Sequence, residues 1–142
     1  MIQSTVFEPL AGKGAGRYEL INPRDGSVLA AHVESAFDSK TRRRGLLGRD
    51  SVPKDFALII APCSSVHTFF MRFPIDVVFV SRDGTVVKTC RDLRPWRLAA
   101  AFGAFAVIEA APGFVERSGI VSGDRIAVRE RRAGARSVWL RD

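Results

Sequence analysis

The stretch Val66-His67-Thr68-Phe69-Phe70-Met71-Arg72-Phe73-Pro74-Ile75-Asp76-Val77-Val78-Phe79-Val80, closed by Arg82-Asp83-Gly84, constrains this chain more than any other. It sets one of two histidines and one carboxylate among aliphatic and aromatic residues, without clean apolar and polar alternation. Polar groups in such a stretch need partners, because burying an unpaired one costs about 2–7 kcal/mol. Pro74 cannot donate to a central ladder, so the stretch is predicted to split there into two strands. Asp83-Gly84 is a hairpin turn leading into a strand over Thr85 to Cys90.

The neighbouring segments are also mostly β. Tyr18 to Ile21 and Val28 to Glu34 flank Asn22-Pro23-Arg24-Asp25-Gly26, where Pro sets φ and Gly takes positive φ, which predicts a hairpin. Ala57 to Ile60 and Ala104 to Ala110 are further strands, although the Ala-rich run Leu98 to Ala106 leaves helix as a rival. Asp38 and Ser39 are N-caps for a helix running to Leu47, with Gly48 as its C′ residue. Beyond Pro112-Gly113, one helical turn should stop at Gly119, Ile120 should pack inward, and Gly123-Asp124 should turn the chain into a strand from Arg125, with Asp124 as turn capper.

Residues 1–17, with Gly12, Gly14 and Gly16, read as a flexible arm, and 18–142 as one domain ending in an edge strand at Val138-Trp139-Leu140. The predicted fold is mainly β, a β-rich α+β domain. Seven or eight strands roll into a partly open barrel-like structure with one or two short helices, the Asp38 to Gly48 helix covering one end. Covering both sides of the sheet explains why both parities of the central stretch are apolar.

A chain of 142 residues fits one domain with a real core, and its 46% hydrophobic and 26% charged content excludes a disordered chain. No apolar run approaches the roughly 18 residues of a membrane span, and the N-terminus lacks a charged region followed by an apolar one, so a cytoplasmic protein is expected. The charge of +7, from 22 basic and 15 acidic residues, calls for an anionic partner to be considered. The basic residues are scattered, which disfavours nucleic acid. Arg42-Arg43-Arg44 could hold a phosphate, but near a helix C-terminus each also complements the dipole by about 0.3–1 kcal/mol, and the structural role is favoured. Cys63 and Cys90 lack metal-type spacing and are expected as free thiols. No cofactor or metal is predicted.

Candidate chemistry falls in two places. Cys63, Ser65 and His67 share strand parity, and a Cys–His pair oriented by Asp76 or Glu109 would make a thiolate nucleophile. Four residues of strand span about 13 Å, so the pair meets only if the chain folds back. A metal-assisted hydrolase would need His67, Asp76 and Glu109 together. The competing reading has His67 and Asp76 satisfied by backbone in the core and Glu109 paired with an arginine such as Arg72. The second place is Arg72, Arg91, Arg94, Trp96 and Arg97, suited to stacking and anion capture. Against it stands a buried Trp96 plugging the barrel end with arginines snorkelling around it, which is favoured because Trp is highly buried on average.

These residues form an ordered set. Arg44-Gly45-Leu46-Leu47-Gly48-Arg49, then His67-Thr68-Phe69-Phe70-Met71-Arg72-Phe73-Pro74-Ile75-Asp76-Val77-Val78-Phe79, Asp83-Gly84-Thr85-Val86-Val87, Leu93-Arg94-Pro95-Trp96, Glu109-Ala110-Ala111-Pro112-Gly113 and Gly119-Ile120-Val121-Ser122-Gly123-Asp124 follow one another. Over about residues 28–128 the chain resembles the domain of unknown function 192 family, small prokaryotic proteins of unassigned biochemistry. Many relatives place Lys-Asn-Thr between the Met and the Pro, so this is the shorter variant. The resemblance implies a compact, mostly β, barrel-like domain and supplies no activity. The function expected is a small binding or accessory module for an anionic ligand or a protein partner, with Arg72, Arg94, Trp96 and Arg97 as ligand-binding residues. The alternative is an enzyme using a Cys63, His67, Asp76 and Glu109 pocket.

Overall fold

The central stretch divides at Pro74 into two strands that lie in different sheets. A computed structural model describes residues 2, 5–11 and 17–131 of the chain. In chain order these hold a 3-10 turn at Glu8–Ala11, then β1 (Tyr18–Ile21), β2 (Val28–Ala30), β3 (His32–Ala36), α1 (Ser39–Arg44), β4 (Phe56–Ile60) and β5 (Ser65–His67). There follow β6 (Ile75–Val80), β7 (Val86–Leu93), β8 (Leu98–Ala100), β9 (Ala106–Ala110), α2 (Phe114–Ser118) and β10 (Ala127–Glu130). The fold is mainly β with short helices, as predicted.

The strands form a five-stranded sheet in the order β3-β4-β9-β6-β7, a three-stranded sheet β10-β1-β2 and a two-stranded sheet β5-β8. Among the described residues no sheet closes into a barrel. Within the five-stranded sheet only β3 and β4 run parallel. Its three inner strands β4, β9 and β6 are buried at every position, because each face has its own cover. Ile59, Ile108 and Val78 stand in one row and face a core with Phe7, Leu10, Leu20, Phe114 and Ile126. The alternate residues Leu58, Ile60, Val77, Phe79 and Val107 face a second core with Leu46, Val66 and Met71. Two cores on one sheet account for the missing alternation in the sequence.

Several boundaries differ from the sequence expectation. The stretch from Val28 to Glu34 breaks at Ala31, so that β2 pairs with β1 while β3 joins the larger sheet. Asp38 caps α1 through Thr41 N–H, but the helix ends at Gly45, not Gly48. Leu98–Ala100 is a strand, held by pairing with Ser65–His67, so the helical rival loses to a partner over 30 residues away in sequence. Asp124 accepts from Val121 N–H as a turn capper, and Ile120 is buried after the turn at Gly119. Within the segment expected as an arm, Phe7 and Leu10 are buried in the first core. The expected strand at Val138-Trp139-Leu140 lies outside the described residues. No helix among those described is long and apolar enough to cross a membrane.

Candidate functional site

Asp76 and Glu109 stand on opposite faces of the same sheet. Asp76 is in register with Ala110, whereas Glu109 is in register with Leu58 and Val77, which point into the second core. On its own face Asp76 is 1% exposed, and its two carboxylate oxygens accept from Asp92 N–H at 2.8 Å and Val115 N–H at 2.9 Å. Its partners are backbone groups, so Asp76 is a structural knot. His67, Asp76 and Glu109 therefore cannot share a metal ion. Among the described residues no three His, Cys, Asp or Glu side chains come together as ligands.

Glu109 has the opposite situation. It is 5% exposed, and its Oε1 has no hydrogen-bond partner. Burial alone pushes its carboxyl up to about 7, because the flanking Leu58 and Val77 offer no polar group to stabilise the charge. The expected pairing with Arg72 does not form, since Arg72 reaches outward to Asp50 at 2.9 Å. Native structures leave few buried polar atoms unsatisfied, so an orphaned carboxyl oxygen calls for an explanation.

Glu109 also lines a cavity of about 580 Å³. Its walls come from the last turn of α1 (Arg42, Arg43, Arg44, Gly45), from Pro62 and Cys63, and from Ser65 and His67 on β5. Arg42 is committed to structure, donating to the Pro62 carbonyl at 3.0 Å and the Asp38 carbonyl at 3.3 Å. The guanidinium groups of Arg43 and Arg44 make no hydrogen bond or ion pair among the described residues, and both residues are exposed. Gly45 closes the wall at φ 48°, and a Cβ there would sit 3.3 Å from Glu109 Oε1. Gly45→Ala is therefore expected to destabilise the fold by about 1–3 kcal/mol through left-handed backbone strain. Urea denaturation measures this, and a loss below about 0.5 kcal/mol would contradict it.

Cys63 and His67 do share the cavity wall, but no hydrogen bond joins them. The Cys63 thiol donates to the Ser65 carbonyl at 3.0 Å, and burial, helped by the Glu109 charge, pushes its pKa up. A protonated, hydrogen-bonded thiol is the reverse of an activated nucleophile. His67 lies exposed on β5, stacked on Phe69 with ring centroids 4.9 Å apart, not satisfied within the core. Cys63 and Cys90 are both free.

Trp96 does not plug a barrel end. It is 56% exposed, stacked on Phe69 at 5.7 Å and edge-on to Phe70 at 4.6 Å. Trp96 and Phe70 have φ of 68° and 66°, left-handed values that bulky residues adopt only when the surroundings hold them. The holder is Thr68, fully buried, whose hydroxyl donates to the Arg94 carbonyl at 2.6 Å and accepts from Arg97 N–H at 2.9 Å. Its carbonyl also accepts from the N–H groups of Met71 and Trp96. Arg94 and Arg97 are exposed beside this aromatic cluster, while Arg72 is turned to Asp50. Sequence reasoning passed over Gly45 and Thr68. A glycine between a basic helix and a buried Leu46, and a lone hydroxyl in an apolar run, were the available signals.

Cavity, knot and aromatic cluster all fall within residues 20–128, the stretch matched by the profile of DUF192, "Uncharacterized ACR". The chain belongs to the DUF192 family. Among DUF192-like relatives, a UPF0127 protein of Thermococcus sibiricus is 35% identical over 114 residues, covering 75% of this chain and 72% of that protein. A UPF0127 protein of Pyrococcus furiosus is 29% identical over 113 residues, covering 75% and 95%. A Sinorhizobium meliloti crystal structure, described as a candidate transcription regulator, shares the fold with a TM-score of 0.67 at 24% identity, over 78% of this chain and 91% of that one. A Novosphingobium aromaticivorans structure of unknown function gives 0.66 at 24%, over 77% and 81%. Both structural likenesses bear on the fold of the DUF192 domain alone.

Proposed function

We propose that this DUF192 domain is a binding module for a small ligand carrying a phosphate or carboxylate group, seated in the cavity between α1, β5 and β9. The observation that carries this reading is the orphaned Oε1 of Glu109, a residue that lines the cavity. With its pKa raised to about 7, Glu109 is largely protonated below neutrality and donates to a ligand oxygen, while Arg43 and Arg44 supply charge-assisted bonds from the rim. A ligand of this kind gives the buried carboxyl a partner and draws on the two exposed guanidiniums, whereas a purely apolar ligand would leave the carboxyl unsatisfied.

NMR titrations with inorganic phosphate, glycerol 3-phosphate and succinate test the proposal. At least one should shift the amides of Gly45, Ser65 and Glu109, and the double variant Arg43→Ala with Arg44→Ala should weaken its binding by about tenfold or more, since hydrogen bonds to charged groups contribute about 1.5–3 kcal/mol each. Affinity should also fall as pH rises above 7, where ionised Glu109 repels the anion. Absence of shifts at the cavity with all three probes, or equal affinity in the double variant, would overturn the reading.

A further inference from the structure

A second surface borders the cavity, sharing Ser65 and His67 of its wall. On β5-β8 the cross-strand pairs Ser65 with Ala100 and His67 with Leu98 share one face, the ring stack His67–Phe69–Trp96 extends it, and Phe102 sits in the turn after β8. Along it Leu98 and Phe70 are each 72% exposed, Trp96 is 56% exposed, and Phe102, in the turn before Gly103, is fully exposed. A fully exposed ring has no protein beside it, so the surface at Phe102 is convex and no groove. Exposed Arg91, Arg94 and Arg97 lie in the same segment, in which Asp92 is the only acid between Val86 and Gly103.

We propose that this face docks the protein peripherally on a membrane surface rich in anionic lipid. Protruding aromatic and aliphatic side chains enter the boundary between headgroups and acyl chains, and the guanidiniums engage lipid phosphates behind them. A bilayer accepts convex apolar tips without a complementary pocket, whereas a bound peptide would call for a groove. Single-stranded nucleic acid suits the charge, but it stacks bases on open ring faces. Here Phe69 already covers one face of Trp96, and the edge contact with Phe70 confines it further. Thr68 fixes the two loops so that the rings stay outward instead of collapsing into the core.

Co-sedimentation of the full chain with vesicles of phosphatidylcholine, with and without phosphatidylglycerol, tests this. Binding is expected to the anionic vesicles and to weaken with added salt. Leu98→Ser with Phe102→Ser should weaken it about tenfold or more, and Arg94→Ala with Arg97→Ala by a similar factor. All four positions are exposed, so unchanged urea denaturation curves accompany the loss, and the serine pair leaves the anion titration of the cavity unaltered. No binding to phosphatidylglycerol vesicles, or equal binding by both variants, overturns the proposal. So does capture of a single-stranded oligonucleotide that is abolished by the same variants while vesicles are ignored.

Discussion

Asp76→Ala is expected to lower the unfolding free energy by about 3–5 kcal/mol, because two backbone donors lose their acceptor and each donor left unsatisfied costs about 1–3 kcal/mol. Two backbone donors depend on this one side chain. The first is Asp92 N–H, at a bulge where the ladder steps from Val77 opposite Cys90 to Ile75 opposite Leu93 and Asp92 takes φ 52°. The second is Val115 N–H in the first turn of α2, whose N-cap is Gly113 and has no side chain to offer. Asp76 caps that helix from 39 residues away and satisfies the bulge at the same time. Alanine strands Val115 N–H in the core and takes the partner from the part-buried Asp92 N–H, while Asp76→Asn keeps one acceptor and turns an NH2 towards the other donor, for a loss of about 2–3 kcal/mol. Urea denaturation at neutral pH gives both values. A loss under about 1 kcal/mol for the alanine variant would show that Asp76 holds neither element.

Glu109→Gln is expected to act in the opposite direction. The carboxyl rises from 4.5 to about 7 on folding, so between those values the native state holds a proton that the unfolded chain has released. Stability therefore declines as pH rises through that window and is lower by about 3 kcal/mol once pH passes 7. Glutamine stays neutral throughout and removes this slope. The variant should match the parent near pH 4 and exceed it by about 2–3 kcal/mol at pH 8. Neighbouring Cys63 stays a thiol over this range, burial holding its pKa above the ordinary thiol value. Urea denaturation at pH 4, 6 and 8 separates the two proteins, and parallel pH profiles would contradict a buried, unpaired Glu109.

The fold class, the break at Pro74, the hairpins and the turns at Gly119 and Asp124 were legible because each rests on chemistry within a few residues. Pairings over long distances were not. Nothing near Leu98 announces that Ser65–His67 will recruit it into a strand, or that Arg72 will prefer Asp50 to Glu109. His67, Asp76 and Glu109 stand out alike as polar residues in apolar runs of the sequence, but their fates differ. His67 faces outward, Asp76 is fully bonded, and Glu109 is left with a free oxygen. Strand parity tells that Asp76 and Val77 point opposite ways. It does not tell which way has α2 and which has the cavity. Trp96 was expected inside because of its size, and the buried Thr68 hydroxyl, bonded to backbone on both sides of it, is what keeps it out.

β9 lies between β4 and β6, yet it follows both in the chain. A ribosome releasing this protein delivers two strands that end up wholly buried before the one that separates them. About 26 residues must still be added after Val80 before Ala106 emerges, which takes about 1–5 s at typical synthesis rates. During that interval β4 and β6 present bare facing edges, the kind that pair with any extended strand nearby. Yield in a crowded cell is thus a race between the arrival of β9 and capture of those edges by another nascent chain.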